Sequence, residues 1–203
     1  MNHPLLLLAL TAAGIYLGKL WRDDCQASKS GRPNPNGLPG ATPAPFLAIA
    51  IAVAGTLVLL AIETLAEEAF GLSGEQSRMT WLMALHAVAG APIVEEVIFR
   101  GWLVIDRRGP VAAWAGAIAA SIGFAALHPF LWRWDDTGFA TTLGAKGWLN
   151  TAAVFATSLW LYAARLGKWN PQHSLLPCVA AHAAKNIGVV AIKATLGFMG
   201  PAW

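Results

Sequence analysis

Long apolar runs dominate the chain. They cover about residues 4–20, 45–65, 78–105, 111–134, 147–166 and 175–198, with short polar stretches between them. Most match the ~20 apolar residues that an α-helix needs to cross a bilayer. The pattern predicts an all-α, polytopic transmembrane helix bundle of about six spans. Lys19 and Arg22 follow the first run rather than precede it, and no Ala-x-Ala site closes it. It therefore reads as a retained span and not as a secretory signal. Residues 21–44 are rich in Pro, Gly, Asn and Ser, the composition of a loop with no core of its own. The chain divides into 1–44, a first span plus linker, and 45–203, the main bundle.

Composition sharpens this reading. Of 203 residues, 56% are hydrophobic and 12% charged, about half the charge of a soluble domain, and the mean hydropathy is +0.52. Disorder is excluded, because disordered chains are apolar-poor. Trp21, Trp81, Trp132, Trp134, Trp148 and Trp169 fall near span ends, where indole rings favour the headgroup layer. The formal charge of +3 comes from loop lysines and arginines and forms no basic stripe with interleaved aromatics, so nucleic acid is not an expected partner. Lys19, Arg22, Lys29, Arg32, Arg107, Arg108, Arg165 and Lys168 flank the odd loops, which the positive-inside rule places in the cytoplasm with both termini outside. Cys25 and Cys178 form no CxxC pair, and Cys178 reads as a small apolar filler.

Against this background, some charges stand in the wrong place. An ionisable group at the centre of a span costs at least ~2.5–3.5 kcal/mol on insertion scales. The third run holds Glu95, Glu96 and Arg100; the fourth holds His128; the sixth holds His182 and Asn186. Glu96 and Arg100 are four apart, so they stack on one helical face and can pair. Glu95 is rotated by about 100° from Glu96 and has no such partner. One helix thus anchors Glu96 and leaves Glu95 to accept a proton. His182 and Asn186 also share one face. A carboxylate base, histidines and an amide suffice to activate water and stabilise an oxyanion, which is peptide hydrolysis without a Ser or Cys nucleophile. Isolated polar groups also tie membrane helices together. Six acid–base and amide groups over three spans favour chemistry.

These residues carry a family resemblance. Glu95-Glu96-Val-Ile-Phe-Arg100, Phe124-Ala-Ala-Leu-His128 and His182-Ala-Ala-Lys-Asn186 match, in order, the EExxxR, FxxxH and HxxxN motifs. The chain thus resembles the CPBP family of intramembrane proteases, which includes CAAX endopeptidases and bacteriocin-processing proteins. The resemblance covers roughly residues 82–190. It implies a glutamic-type intramembrane endopeptidase, a multi-pass protein of the cell membrane acting on a peptide or protein substrate there. Glu95, aided by His128, would activate water; His182 and Asn186 would hold the oxyanion; Glu96 and Arg100 would brace the first motif. Phe124 would pack near His128 as a core aromatic.

Three alternatives remain open. One is a non-catalytic immunity or binding protein on the same fold. Another is a proton-coupled transporter, although the inverted repeats that this predicts are not visible. The third is a zinc-dependent protease with Glu95, His128 and His182 as ligands. No HExxH motif is present, so no cofactor is expected. Pro129 raises a further question, since proline disfavours helical geometry in the preceding residue. If the fourth helix stops at His128, this residue is expected to lie too far from Glu95; a helix that kinks and continues to Trp134, or tilts, is expected instead. Pro92 is expected to free the Val88 carbonyl. His86 is read as a helix contact, Glu63, Glu67 and Glu68 as interfacial, and Lys185 and Lys193 as snorkelling.

Overall fold

The computed structural model describes residues 4–105, 108–135 and 138–202; Arg107, used above for orientation, lies outside them. Six long helices build the bundle: α1 (Pro4–Lys29), α2 (Phe46–Ala69), α3 (Trp81–Trp102), α4 (Pro110–Leu127), α5 (Ala145–Leu166) and α6 (Leu176–Thr195). The first four are long and apolar enough to cross a membrane. The last two have 22 and 20 residues, which is sufficient length at ~1.5 Å per residue. Their composition is more polar because they turn polar side chains inward. Thr157, Ser158 and Arg165 on α5, and His182, Lys185 and Lys193 on α6, are all buried.

The bundle is polar inside and greasy outside. Leu5, Phe46, Leu47, Ile62, Val111 and Leu127 are exposed, whereas Glu96 and Arg100 have no exposed surface. An aqueous fold would not tolerate that apolar surface; lipid does. In lipid, helices associate by close packing of small residues rather than by hydrophobic burial. Ala52, Ala164, Cys178 and Ala181 form such a core around Leu161. The Trp160 indole donates to the Ala52 carbonyl at 2.9 Å, beside the surface left open by Gly55.

The N-terminal helix is packed into this assembly. A Cβ on Gly14 would meet the Gly90 Cα and carbonyl oxygen of α3 at 2.7 Å. Backbone is thus the obstacle, and no side-chain rotation relieves it. Gly14→Val is expected to destabilise the bundle by about 1–3 kcal/mol, the usual cost of overpacking. Thermal unfolding in detergent checks this; an unchanged midpoint would mean that α1 can move away freely.

Element boundaries differ from the sequence expectation in three places. Helix α1 continues to Lys29, so polar residues 21–29 are helical, and the loop starts after Gly31 takes positive φ. Helix α4 stops at Leu127 and does not continue to Trp134, because His128 before Pro129 takes extended geometry, φ −78 and ψ 124. The chain then forms an antiparallel hairpin of β1 (Trp132–Asp135) and β2 (Gly138–Thr141). Trp132 and Phe139 stack across it with centroids 6.2 Å apart. Third, α6 ends at Thr195, and the following segment runs alongside α3's start, with Met79 N–H donating to Phe198 O at 3.0 Å and Gly200 N–H to Met79 O at 2.8 Å.

Candidate active site

Helix α3 is not a uniform α-helix. Residues 86–90 and 97–102 adopt π-helical geometry, with α-helical residues 91–96 between them. The first π segment closes with Ala91 N–H reaching back five residues to His86 O. Pro92 comes next in that register and has no N–H to give. The carbonyl it frees is therefore Ala87, one residue earlier than α-helical counting predicts. The Asn186 amide of α6 supplies the missing donor, with Nδ2 to Ala87 O at 2.6 Å. A primary amide has two N–H bonds, so one remains for another acceptor.

The two adjacent carboxylates differ sharply. Glu96 is wholly buried and accepts from Arg100 Nη1 at 3.2 Å. It also meets His182 Nδ1 at 2.8 Å. Glu95 keeps 31% of its side chain exposed, and its Oε2 lies 3.8 Å from His182 Nε2. Glu95 Oε2 has no hydrogen-bond partner among the described residues. His182 is therefore bracketed by both glutamates, an arrangement the motif spacing did not reveal. An ionised Glu96 has only lone pairs to offer, so Nδ1 donates to it and Nε2 is the ring atom that faces Glu95.

Helix α5 supports this set, and the sequence reading missed it. Arg100 Nη2 donates to Ser158 Oγ at 2.5 Å and to Ser158 O at 3.2 Å. Ser158 Oγ in turn meets Ser121 Oγ of α4 at 2.8 Å. Tyr162 donates to Phe99 O at 2.5 Å, and Arg165 Nε to the Arg100 carbonyl at 3.0 Å. The Arg100 guanidinium also lies over the Phe124 ring, 4.7 Å from its centroid, and over Tyr162 at 5.0 Å. Phe124 is thus more than filler: desolvated cation–π contact helps to hold a buried cation. The available signal was Ser158 and Tyr162, four apart on one helical face of the fifth run.

His128, just past the end of α4, lines the same cavity as Glu95 and His182. Its ring folds back one turn and bonds Phe124 O through Nδ1 at 2.8 Å. A carbonyl only accepts, so Nδ1 carries the proton and Nε2 keeps a lone pair. The Phe124 ring lies near both imidazoles, its centroid 4.7 Å from that of His128 and 6.4 Å from that of His182. Glu95, His128, His182 and Asn186 all line one cavity of about 1170 Å³. His86 lines it too and contacts Thr11 of α1 through Nδ1 at 3.2 Å.

The expected snorkelling of Lys185 and Lys193 is not observed. Both turn into the bundle: Lys185 Nζ pairs with Glu63 at 3.0 Å and donates to Thr157 Oγ1 at 2.7 Å. Glu67 is likewise buried, paired with Lys146, while Glu68 stays exposed.

A metal fits this arrangement poorly. Glu95 and His182 offer two donors 3.8 Å apart, whereas a catalytic zinc takes three protein ligands. Among the described residues, no three His, Cys, Asp or Glu side chains are grouped to hold one ion.

The family model described as type II CAAX prenyl endopeptidase, Rce1-like, matches residues 77–188. That stretch contains every motif residue above and leaves α1 and α2 outside. No curated protein and no solved structure matches the chain.

Proposed function

As the chain belongs to the type II CAAX prenyl endopeptidase Rce1-like family, and is on that account an integral membrane protease, we propose that it is a glutamic-type enzyme. Its substrate on this reading is a membrane-associated peptide whose scissile bond enters the α3–α4–α6 cavity. The single observation that carries the reading is the contrast between neighbours: Glu96 locked by Arg100 and His182, Glu95 beside the same imidazole with a free oxygen.

The chemistry follows from those atoms. Glu95 takes a proton from water, whose oxygen adds to the scissile carbonyl carbon, and His128 Nε2 accepts the second water hydrogen bond. Negative charge collects on the former carbonyl oxygen. The spare Asn186 N–H donates to it, together with His182 Nε2 when the ring, bracketed by the two glutamates, holds a second proton as an imidazolium; such preorganised donors count most where charge develops. The C–N bond then breaks, and the proton held by Glu95 passes to the leaving amine. Glu96 and Arg100 fix the imidazole and never touch the peptide.

Two experiments test this. Proteomes of cells carrying the wild-type chain and Glu95→Gln are compared for new protein termini; a set present only with the wild type is expected, and identical sets would favour a non-catalytic protein. Cleavage by the purified enzyme is also expected to survive exhaustive EDTA treatment. Activity lost with EDTA and restored by zinc would assign the zinc-dependent alternative.

A further inference from the structure

One wall of the cavity is almost wholly apolar. Leu7 and Leu10 of α1 line it together with Met83, Ala87 and Ala91 of α3, all N-terminal to Glu95. His86 is the one side chain of that wall, among the described residues, with a nitrogen or oxygen that can accept a hydrogen bond. This matters for a peptide held extended, because it cannot satisfy its own N–H groups, and lipid-enclosed space offers them no water.

The imidazole is held in one tautomer. Thr11 Oγ1 donates its single proton to Leu7 O at 2.7 Å. It is therefore left to accept from His86 Nδ1, 3.2 Å away. In the neutral ring Nδ1 carries the proton and Nε2 keeps a lone pair. Nε2 has no hydrogen-bond partner among the described residues. Nδ1 is spent on α1, and the nitrogen left for the cavity is Nε2. Gly90 makes room for this ring: a Cβ there would stand 2.9 Å from Nδ1 and 3.0 Å from the Thr11 Cα. Helix geometry contributes as well. Nine α-helical steps would leave His86 about half a turn from Glu95. The π segment 86–90 takes in one extra residue, which turns His86 back by about 100° toward the cavity.

We propose that His86 Nε2 accepts a main-chain N–H of the bound peptide, with Thr11 as the positioning residue that presents it. The inference rests on the protease reading above and adds a substrate contact that belongs to none of the three motifs. Thr11 lies on a helix outside the matched stretch 77–188, so α1 becomes part of the substrate-binding wall. Asn186 donates to Ala87 O, the residue next to His86, which sets the oxyanion donor and this acceptor close together. Glu95 and His86 are nine positions apart, at most ~13.5 Å along the axis. The N–H that His86 holds therefore lies within about four extended residues of the scissile bond.

The test uses binding, so it does not depend on turnover. Full-length Glu95→Gln protein in phosphatidylcholine nanodiscs is titrated with an apolar decapeptide carrying an N-terminal fluorophore. A set of versions follows in which one amide at a time is replaced by an ester, which removes that N–H. One ester position is expected to weaken binding about tenfold, the effect of leaving a buried acceptor unmet. Adding His86→Phe should reduce the loss at that position to within about twofold, and His86→Gln, which keeps an acceptor, should retain it. Thr11→Val should shrink the ester-specific loss and Thr11→Ser restore it, whereas a merely structural Thr11 would change amide and ester binding alike. An ester scan that is the same with and without the His86 side chain overturns the contact. If His86→Phe does not fold, an equal ester loss in Thr11→Val and Thr11→Ser overturns it too. Identical protein termini in the Glu95→Gln comparison would sink the protease assignment instead, and the two failures are distinct.

Discussion

Glu95→Gln lowers the cleavage rate by about 10²–10⁴-fold, the range expected when a positioned general base is removed, and leaves the fold intact. Gln keeps the shape and the polar contacts of the side chain but cannot take a proton from water. The structural cost is small because Glu95 is partly exposed and its one ion pair among the described residues is the long 3.8 Å contact with His182. The measurement is initial-rate cleavage of a membrane peptide by both proteins, with thermal unfolding as the control. Turnover within a few-fold of wild type would remove Glu95 from its role, whatever happens to stability.

Arg100→Met acts through the fold instead. Met fills much of the aliphatic volume but removes the charge, so Glu96 remains wholly buried with only His182 beside it. Breaking one side of a buried ion pair costs about 3–5 kcal/mol, because the remaining charge is left unsatisfied. Ser158 and Ser121 lose their shared guanidinium partner, and Phe124 and Tyr162 lose the cation between their rings. A large drop in the unfolding midpoint is expected, with activity falling in the fraction that remains folded. Adding Glu96→Gln removes the stranded charge and should recover part of the midpoint. A single variant as stable as wild type would mean that Glu96 is not held as an anion.

These two variants separate what the sequence discloses from what it hides. The Glu96–Arg100 pair is legible from spacing, since four positions on a helix place two side chains together whatever surrounds them. The distribution of carboxylate, imidazole and amide over three apolar runs is legible for a similar reason: each such group in lipid demands an explanation. Contacts between helices are not. Ser158 and Ser121 look like ordinary small residues until α4 and α5 meet around Arg100. His182 bridging two glutamates depends on how α6 lies against α3. Pro129 correctly marks the end of α4, but the backward fold of the His128 ring is a side-chain event that counting residues along an axis does not capture. Pro92 is visible in the sequence, yet the carbonyl it frees is Ala87 and not Val88, because the preceding turn is π-helical. Lys185 and Lys193 mislead for the opposite reason. Their length permits snorkelling, and only the contacts of Lys185 with Glu63 and Thr157 and of Lys193 with the Ser77 carbonyl show that they turn inward.

The central claim is that water, activated by Glu95, attacks the peptide directly. A single turnover in ¹⁸O-labelled water, with enzyme in excess over peptide, tests it most directly by mass spectrometry of both partners. The expected result is one ¹⁸O in the new carboxylate of the product and none in the protein. Label found in the Glu95 side chain, with unlabelled product, would show a carboxylate nucleophile and an acyl-enzyme, and would contradict the account.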